Sequence, residues 1–246
     1  MLEPPHDWII PDWPAPANVR TLITTRSGGV STGPFASMNL GHRIEDDMQS
    51  LLANRALLRD FLPGDPKWLL QVHGARVADA DGLQQPVEAD AAVARKPGSV
   101  CTVMVADCLP VLLTDRAGSV VAAAHAGWRG LAAGVLENTV GAMGRAPDEL
   151  LAYFGPAIGP SAFEVGADVR DAFLARSADA ASAFAAHKPG KWLADLFALA
   201  RQRLRAIGVT QIYGGGLCTY SDRRRFFSHR RDKVTGRMAA LIWLND

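Results

Sequence analysis

The chain has 246 residues, of which 48% are hydrophobic, and its 26 basic and 25 acidic residues give a formal net charge of +1. A disordered chain would be poorer in large apolar residues, a dedicated nucleic-acid binder would usually be basic overall, and a disulfide-rich scaffold would hold more than three cysteines. The composition therefore predicts a soluble globular protein with a sizeable core, and it argues against nucleic acid as a partner.

The cysteines and the apolar runs bear on the compartment. Cys101, Cys108 and Cys218 are an odd number at no scaffold-like spacing, which is typical of a reducing environment. The N-terminal residues contain an acid, several prolines and no long apolar run, so they match neither a signal peptide nor an anchor. The longest apolar stretches are far shorter than the ~20 residues of a membrane helix. We expect a cytoplasmic protein with no membrane partner, either a monomer or a homodimer.

The chain begins with a proline-rich segment and continues as mixed α and β structure. Residues 1–17 are broken by prolines, which predicts an extended N-terminal arm. Four apolar side chains of this arm are expected to dock on the body: Trp8, Ile9, Ile10 and Trp13. No repeat and no flexible linker divides the rest, so residues 1–246 are expected to form a single unit.

Strands and helices alternate along the body. Runs of β-branched and apolar residues between turn residues predict strands at 19–25, 68–73, 99–105, 111–114, 119–124, 150–154, 211–213 and 237–244. Apolar residues at helical spacing predict helices at 47–62, from just after Gly130 to Met143, and at 193–207 with Gly208 as the C-terminal cap. The Ala/Ser-rich stretch 175–186 predicts a surface helix and loop.

Three strings each place a potential metal ligand or nucleophile at the end of a predicted strand. They are Gln-Val-His73-Gly, Ala-Asp-Cys108-Leu-Pro and His125-Ala-Gly-Trp-Arg-Gly. Two imidazoles and a thiolate are suitable ligands for zinc or copper, and a catalytic zinc commonly takes three protein ligands. The spacing matches no local metal-binding pattern, so the fold would have to bring the three side chains together. Taken singly, each is more often a hydrogen-bonded loop histidine or a buried thiol.

Two further segments contain candidate anion-binding groups. Arg26 lies in a strand that runs into a Gly-Gly turn flanked by hydroxyl side chains, although the lysine of a phosphate-binding loop is absent. The run 223–231 combines arginines with two phenylalanines and contains no acid. It could be a solvated face, a site for a substrate phosphate or, last, a nucleic-acid patch.

Taken together and in order, these strings resemble the laccase-domain family of so-called multicopper polyphenol oxidoreductases, whose members are regarded as purine nucleoside phosphorylases. The match spans nearly the whole chain, and its Ala-Asp-Cys-Leu-Pro and His-Ala-Gly-Trp-Arg-Gly strings are highly specific. Met38 stands where Leu is commoner in the family, and His229 stands where Tyr is common. The matching strings are Thr25-Arg26-Ser-Gly-Gly-Val-Ser, Met38-Asn39-Leu-Gly, Asn54-Arg55, Gln71-Val-His73-Gly, Asp90-Ala, Ala106-Asp-Cys108-Leu-Pro, His125-Ala-Gly-Trp-Arg-Gly, Gly155-Pro-Ala-Ile-Gly, Glu164-Val-Gly, Cys218-Thr and Phe227-Ser-His-Arg-Arg-Asp followed by Thr-Gly-Arg237.

The resemblance implies a fold, a metal and an activity. The fold is an α/β (α+β) sandwich with a mixed β-sheet core flanked by helices, similar to the bacterial toxin-type cysteine hydrolase fold. The metal is zinc, with copper as the alternative, held by His73, Cys108 and His125 in a pocket for purine nucleosides and phosphate. The activity is phosphorolysis of adenosine, inosine, guanosine and methylthioadenosine, with deamination of adenosine as a side activity.

The remaining site residues follow from the chemistry of the substrates. Guanidinium forks match phosphate oxygens, so the candidate phosphate ligands are arginines. Amide side chains could orient sugar or base. A carboxylate beside the thiol could act as a general acid or base or support the site from behind, although its place in a strand can turn it away. These candidates are Arg26, Arg129 and Arg230 for phosphate, Asn39 and Gln71 for the nucleoside, and Asp107 with Cys108 and His125 for catalysis.

Three other functions stay open at this point. A copper-dependent phenol oxidase usually needs additional copper centres and more than the six histidines present. A cysteine amidase or hydrolase acting on cell-wall precursors would use Cys108 as the nucleophile and His125 or His73 as the base. A non-enzymatic nucleotide-sensing domain would use the run 223–231 as an interaction surface.

Overall fold

The structure is a computed structural model, and it describes residues 7–42 and 45–246. The strands are β1 Val19–Ile23, β2 Pro66–Lys67, β3 Val77–Asp79, β4 Ala91–Ala94, β5 Val100–Val105, β6 Leu109–Asp115, β7 Val121–Ala126, β8 Leu150–Phe154, β9 Glu164–Val165, β10 Phe184–Lys188, β11 Lys191–Ala194, β12 Gln211–Gly214 and β13 Met238–Leu244. The α-helices are α1 Met48–Arg59, α2 Trp128–Ala133, α3 Val135–Met143, α4 Ala167–Leu174, α5 Leu196–Ala206 and α6 His229–Asp232. None of these helices is long and apolar enough to cross a membrane.

Two large sheets form the centre of the molecule. The six-stranded sheet has the order β12-β8-β6-β7-β4-β3, and the four-stranded sheet has the order β1-β13-β5-β2. In the six-stranded sheet the outer pairs β12-β8 and β4-β3 are parallel, whereas the inner strands β8, β6, β7 and β4 pair antiparallel. A third sheet, β10-β11-β9, is small. The expected mixed sheet is therefore present.

The sheets are layered between helices. Leu112 of β6, Val103 of β5 and Ile242 of β13 belong to one buried cluster that joins the two large sheets face to face. The other face of the six-stranded sheet packs against α3 and α5, and the outer face of the four-stranded sheet packs against α1. Because both faces of β6 and β7 are covered, these strands are apolar over most of their length rather than alternating. The mixed α+β architecture is confirmed.

The N-terminal arm is described from residue 7 onward, so part of the predicted arm lies outside the described residues. The Trp8 ring packs edge-on against Phe61, and Ile9 pairs with Ile23 at the end of β1. Ile10 is 64% exposed, so its expected docking is wrong.

The predicted strand at 68–73 does not form. Leu70 makes an isolated bridge to Glu88, but the next backbone N–H groups turn away from any ladder. Those of Val72, His73 and Gly74 donate instead to the carboxylate of Asp90. The Asp90 carboxylate therefore accepts the hydrogen bonds that a neighbouring strand would otherwise accept.

The helix predicted after Gly130 is two helices. The helical turn begins earlier, at Trp128, and the chain breaks at Gly134, whose φ is +100°. This left-handed conformation suits glycine, which has no Cβ to clash. Leu193 likewise belongs to β11, because α5 begins only after Asp195, whose side chain accepts the backbone N–H of Ala198.

The break between α2 and α3 at Gly134 predicts opposite effects of two Gly→Ala substitutions on the free energy of unfolding. Gly134→Ala is expected to lower the free energy of unfolding by about 1–2 kcal/mol, because an L-residue is strained at this φ. Gly141→Ala, inside α3 with open space at its Cβ position, is expected to raise it by about 0.5–1 kcal/mol. Urea unfolding of both variants measures the two shifts. A stabilised Gly134→Ala variant would instead indicate one continuous helix.

Candidate metal centre

Strand register brings the predicted ligands to one end of the six-stranded sheet. β6 and β7 are antiparallel neighbours, with Pro110 opposite His125, so Cys108 just before β6 lies beside the end of β7. β4 pairs with β7 on its other side, with Ala91 opposite Ala124. Asp90, immediately before β4, therefore lies next to His125 from the opposite side.

Asp90 positions His73, the third predicted ligand, through hydrogen bonds to the backbone around it. Its fully buried carboxylate accepts the N–H groups of His73 at 2.9 Å, Gly74 at 2.7 Å and Val72 at 3.2 Å. The φ of His73 is +62°, an uncommon value for a residue with a side chain. The backbone N–H groups of residues 72–74 thus all bond the two carboxylate oxygens of Asp90, and this fixes the backbone from which the His73 imidazole extends.

Asp90 also fixes His125. Oδ1 of Asp90 lies 2.8 Å from Nδ1 of the His125 imidazole, and the backbone carbonyl of Asp90 accepts the backbone N–H of His125 at 2.7 Å. An ionised carboxylate only accepts hydrogen bonds, so Nδ1 of His125 carries a proton, and Nε2 is the ring nitrogen left for Cys108 or a metal. Carboxylate-bound imidazoles of this kind are characteristic of histidines that ligate metals.

The three side chains converge. The Sγ of Cys108 lies 3.8 Å from Nε2 of His73, and the two imidazole rings have centroids 4.9 Å apart. The potential ligand atoms of His73, Cys108 and His125 all lie within 4.8 Å of one another. A Cβ at Gly127 would lie 2.9 Å from Sγ and 3.1 Å from Cδ2 of His73, so this glycine gives the ligands room. The donor set and the spacing fit a metal ion with three protein ligands.

The ionisation of the site follows from this proximity. Burial alone would raise the pKa of the Cys108 thiol, but the neighbouring imidazoles of His125 and His73 lower the pKa to about 6. Burial would likewise lower the pKa of His125, but Cys108 and Asp90 raise it to about 9. Without a metal, the site therefore holds a thiolate beside an imidazolium at neutral pH. Burial also opposes ionisation of Asp90, yet the hydrogen bonds from His125 and Gly74 keep its pKa below the ordinary value.

The metal-binding group opens into a cavity of about 620 Å³, a size typical of small-molecule sites. Four lining residues are Lys or Arg, and among the described residues the only acidic side chain in the wall is Asp107. This balance favours an anionic ligand. The lining residues are Gly41, His42, Leu69, Gln71, His73, Met104, Ala106, Asp107, Cys108, His125, Arg129, Ile158, Phe163, His229, Arg230, Lys233 and Arg237.

Of the predicted phosphate ligands, the cavity wall contains Arg129 and Arg230. The exposed Arg129 guanidinium lies over the Trp128 ring. Arg230 lies over the Phe163 ring and donates from one guanidinium nitrogen to the carbonyls of Ala162 and Glu164. Its position in the wall is therefore well defined.

Arg26 and Asn39 do not line the cavity. Arg26 donates to the carbonyls of Ala36 and Arg223, and Asn39 is buried with its amide bonded to Gly41, Asp46 and the backbone of Arg237. They join the loops that surround the cavity.

Gln71 and Asp107 line the cavity but face protein partners. Gln71 exchanges two hydrogen bonds with the backbone of Met104. Asp107, with a φ of +95°, accepts from the Thr219 hydroxyl at 2.6 Å and from the Arg230 backbone N–H at 2.6 Å. The carboxylate is thus directed at the segment that carries Arg230 rather than at the metal ligands.

Sequence reasoning did not assign a site role to Asp90, Lys233 or Arg237. Asp90 stands directly before a short apolar run, a position where a lone acid could have indicated a buried partner. Lys233 and Arg237 follow the basic run 223–231 closely, and the sequence analysis considered the charges of that run alone.

The metal-free protein should show an unusually acidic cysteine. Cys108 is expected to react with iodoacetamide with a midpoint near pH 6, because its thiolate persists down to its lowered pKa. The pKa of the core thiol Cys101 is raised by burial, so it should stay unmodified in the folded protein. Peptide mass spectrometry of quenched samples assigns the site, and a Cys218→Ser background removes the second accessible thiol. A midpoint at pH 8–9 would contradict the ion pair.

Curated proteins and solved structures resemble this chain along nearly its whole length. A Pseudomonas aeruginosa protein named purine nucleoside phosphorylase is 57% identical over 240 residues, covering 97% of this chain and 99% of that protein. The Escherichia coli protein named purine nucleoside phosphorylase YfiH is 53% identical over 239 residues, covering 96% of this chain and 98% of that protein.

The solved structures agree in fold. A Neisseria meningitidis protein superimposes with a TM-score of 0.94 at 52% identity, covering 98% of this chain and all of that chain. YlmD of Geobacillus stearothermophilus gives a TM-score of 0.92 at 30% identity, covering 100% of this chain and 98% of that chain. The profile of the family described as multi-copper polyphenol oxidoreductase laccase matches residues 20–245. The chain therefore belongs to this family.

Proposed function

We propose that this protein is an enzyme that phosphorolyses purine nucleosides, with adenosine, inosine, guanosine and methylthioadenosine as substrates. The observation that carries the proposal is a cation-lined cavity of about 620 Å³ with the His73–Cys108–His125 group in its wall. Relatives at 48–57% identity that are named purine nucleoside phosphorylases support the same reaction. The proposal treats residues 1–246 as one catalytic unit working in the cytoplasm, where its free thiols stay reduced.

The reaction needs an anion held against a neutral nucleoside. A phosphate oxygen bonds to C1′ of the ribose, the C1′–N9 bond breaks, and the proton of the phosphate passes to the leaving purine, which gives ribose 1-phosphate and free base. Arg129 and Arg230 are placed to bind phosphate, and their positive charge also lowers the cost of bringing a dianion into the cavity. The side chains of Met104, Ile158 and Phe163 offer an apolar wall to the purine.

The metal of the proposal is zinc, held by His73, Cys108 and His125. When bound there, zinc supplies Lewis-acid chemistry and activates water near neutral pH. The protein's own part is to orient the ligands: Asp90 keeps the Nε2 of His125 free, and the glycine at 127 leaves space beside Sγ. In the proposed side reaction, water adds at C6 of adenosine and ammonia leaves, which yields inosine.

The other predicted residues take supporting roles in this proposal. Arg26 and Asn39 hold the loops around the cavity, and Gln71 fixes the wall near Met104. Asp107 positions Arg230 through its backbone N–H. Among the described residues, a single group of His, Cys or acidic side chains is placed to hold a metal, which gives little support to a phenol oxidase with several copper centres.

One observation favours a second candidate function. Cys108, His125 and Asp90 form a chain in which an imidazole lies between a thiol of lowered pKa and a buried carboxylate. This is the arrangement of a cysteine hydrolase, and with a likeness to toxin-type cysteine hydrolase folds it would suit an amidase acting on cell-wall precursors. A thiolate cannot bind a metal and attack a carbonyl in the same step, so metal dependence separates the two functions.

Incubation with adenosine tests the proposed function directly. Free adenine and ribose 1-phosphate are expected only when phosphate is present, whereas inosine is expected with or without it. Chromatography of the products measures both reactions, and a Cys108→Ser variant with the same folded circular dichroism spectrum is expected to lose at least 100-fold activity. If the protein forms no phosphorolysis product and no deamination product from adenosine, inosine or guanosine, the proposal is contradicted. Activity that survives chelation, with a trapped acyl group on Cys108, would favour the hydrolase.

The role of Asp90 predicts a loss of metal affinity. Asp90→Asn replaces one accepting oxygen by an N–H donor, so either the His125 Nδ1 or the turn at residues 72–74 loses its partner. Zinc affinity is expected to fall by about 10–100-fold. Competition with a chromophoric chelator measures it. The control is Asp115→Asn, which alters another buried carboxylate that accepts backbone N–H groups but lies at the far end of β6. Equal zinc affinity in both variants would contradict the orienting role.

A further inference from the structure

Lys233 lies in the cavity wall at a rare backbone conformation. It follows α6 with a φ of +63° and a ψ of −70°, and the N–H of Val234 donates to the carbonyl of Asp232 at 2.8 Å across it. A hydrogen bond between residues i and i+2 around a positive φ defines the strained form of the γ-turn, which is uncommon in proteins.

This turn is fixed at both sides of the lysine. The Lys233 backbone N–H donates to the carbonyl of His229 at 2.9 Å, and its carbonyl accepts from Nδ1 of His229 at 2.8 Å. A glycine would adopt the same φ without the steric cost of a Cβ. Strained residues of this kind concentrate at binding and catalytic sites, where the side chain has a use that offsets the strain.

The ammonium of Lys233 makes no hydrogen bond to the described residues, whereas two neighbouring arginines of the wall are engaged with backbone carbonyls. Arg230 and Arg237 each donate from a guanidinium nitrogen to two backbone carbonyls. Within residues 7–42 and 45–246, no carboxylate or carbonyl bonds to the exposed Lys233 ammonium. The γ-turn therefore holds a positive charge that pairs with none of the described residues, at the wall of a cavity that also contains Arg129 and Arg230.

We propose that Lys233 is a phosphate-binding residue whose ammonium contacts an oxygen of inorganic phosphate in the cavity. This inference rests on the proposed function, since it assigns the binding group of the phosphate co-substrate. Arg230 contributes a planar fork that is already engaged with two backbone carbonyls. A lysine contributes a compact charge on a flexible stem that can follow the phosphate as it bonds to C1′. The γ-turn fixes the point in the cavity wall from which that stem extends.

The competing explanation is that the turn only reverses the chain between α6 and β13, with an incidental lysine. Two variants separate the explanations. Lys233→Met keeps the Cβ and the length of the stem but removes the charge. Lys233→Gly removes the charge and relieves the strain, so its melting temperature is expected to stay equal or rise by about 2 °C. If the turn alone mattered, Lys233→Gly would be fully active.

Two measurements on the purified, metal-containing protein test the proposal. Isothermal titration with inorganic phosphate gives a Kd, and phosphorolysis of inosine gives separate KM values for phosphate and nucleoside. Both Lys233→Met and Lys233→Gly are expected to raise the phosphate Kd and KM at least 10-fold, with the inosine KM changed less than 2-fold. Lys233→Arg should recover most of the affinity. Lys96→Met, which removes the same charge from an exposed lysine outside the cavity, should equal the wild type.

The outcomes distinguish this inference from the proposed function. Phosphorolysis with an unchanged phosphate KM in Lys233→Met would overturn the role of Lys233 and leave the function intact. If the wild-type protein does not phosphorolyse inosine, the proposed function is overturned. The phosphate Kd then tests the role of Lys233 independently of the function. A 10-fold weaker Kd in Lys233→Met supports the anion contact, whereas equal binding, or no phosphate binding by the wild type, overturns it.

Discussion

The site depends on the buried carboxylate of Asp90. It accepts three consecutive backbone N–H groups, from Val72 to Gly74, and also bonds the imidazole of His125. The cost of leaving buried donors unpaired is about 1–3 kcal/mol each, so this carboxylate decides the path of the chain at that point. One side chain thereby sets the backbone of one metal ligand and the tautomer of another.

The two-sheet sandwich makes this arrangement rigid. Cys108, His125 and Asp90 are attached to neighbouring strands whose register is set by both covered faces, since a slip of one residue would turn every side chain to the opposite face. His73 lies on a loop away from these strands, and its backbone is held by the Asp90 carboxylate. The ligand spacing therefore exists before a metal binds, which lowers the cost of assembling the site.

Sequence reasoning predicted seven of the thirteen strands of the described residues, because β5, β6 and β7 are largely apolar runs. It also singled out His73, Cys108 and His125, because His and Cys are recognisable ligand types, and the fold brings these three side chains together. It missed what depends on long-range contacts. The segment 68–73 has β-rich composition, yet its N–H groups bond a side chain distant in sequence. The helical periodicity from Leu131 to Met143 continues through Gly134, so apolar spacing could not reveal that one φ is positive. Local patterns cannot report such interactions.

The His73–Cys108–His125 group and the cationic wall of the cavity meet at two consecutive residues, Asp107 and Cys108. Cys108 faces the imidazoles, while Asp107, turned by its φ of +95°, bonds Thr219 and the backbone of Arg230. Both residues line the same cavity, although their side chains bond different partners. The backbone at Asp107 and Cys108 therefore connects the thiol side of the cavity to the segment that carries Arg230. The proposed substrates, a neutral nucleoside and a phosphate dianion, would use both sides of the cavity, whereas a neutral phenol would leave the cationic side without a partner.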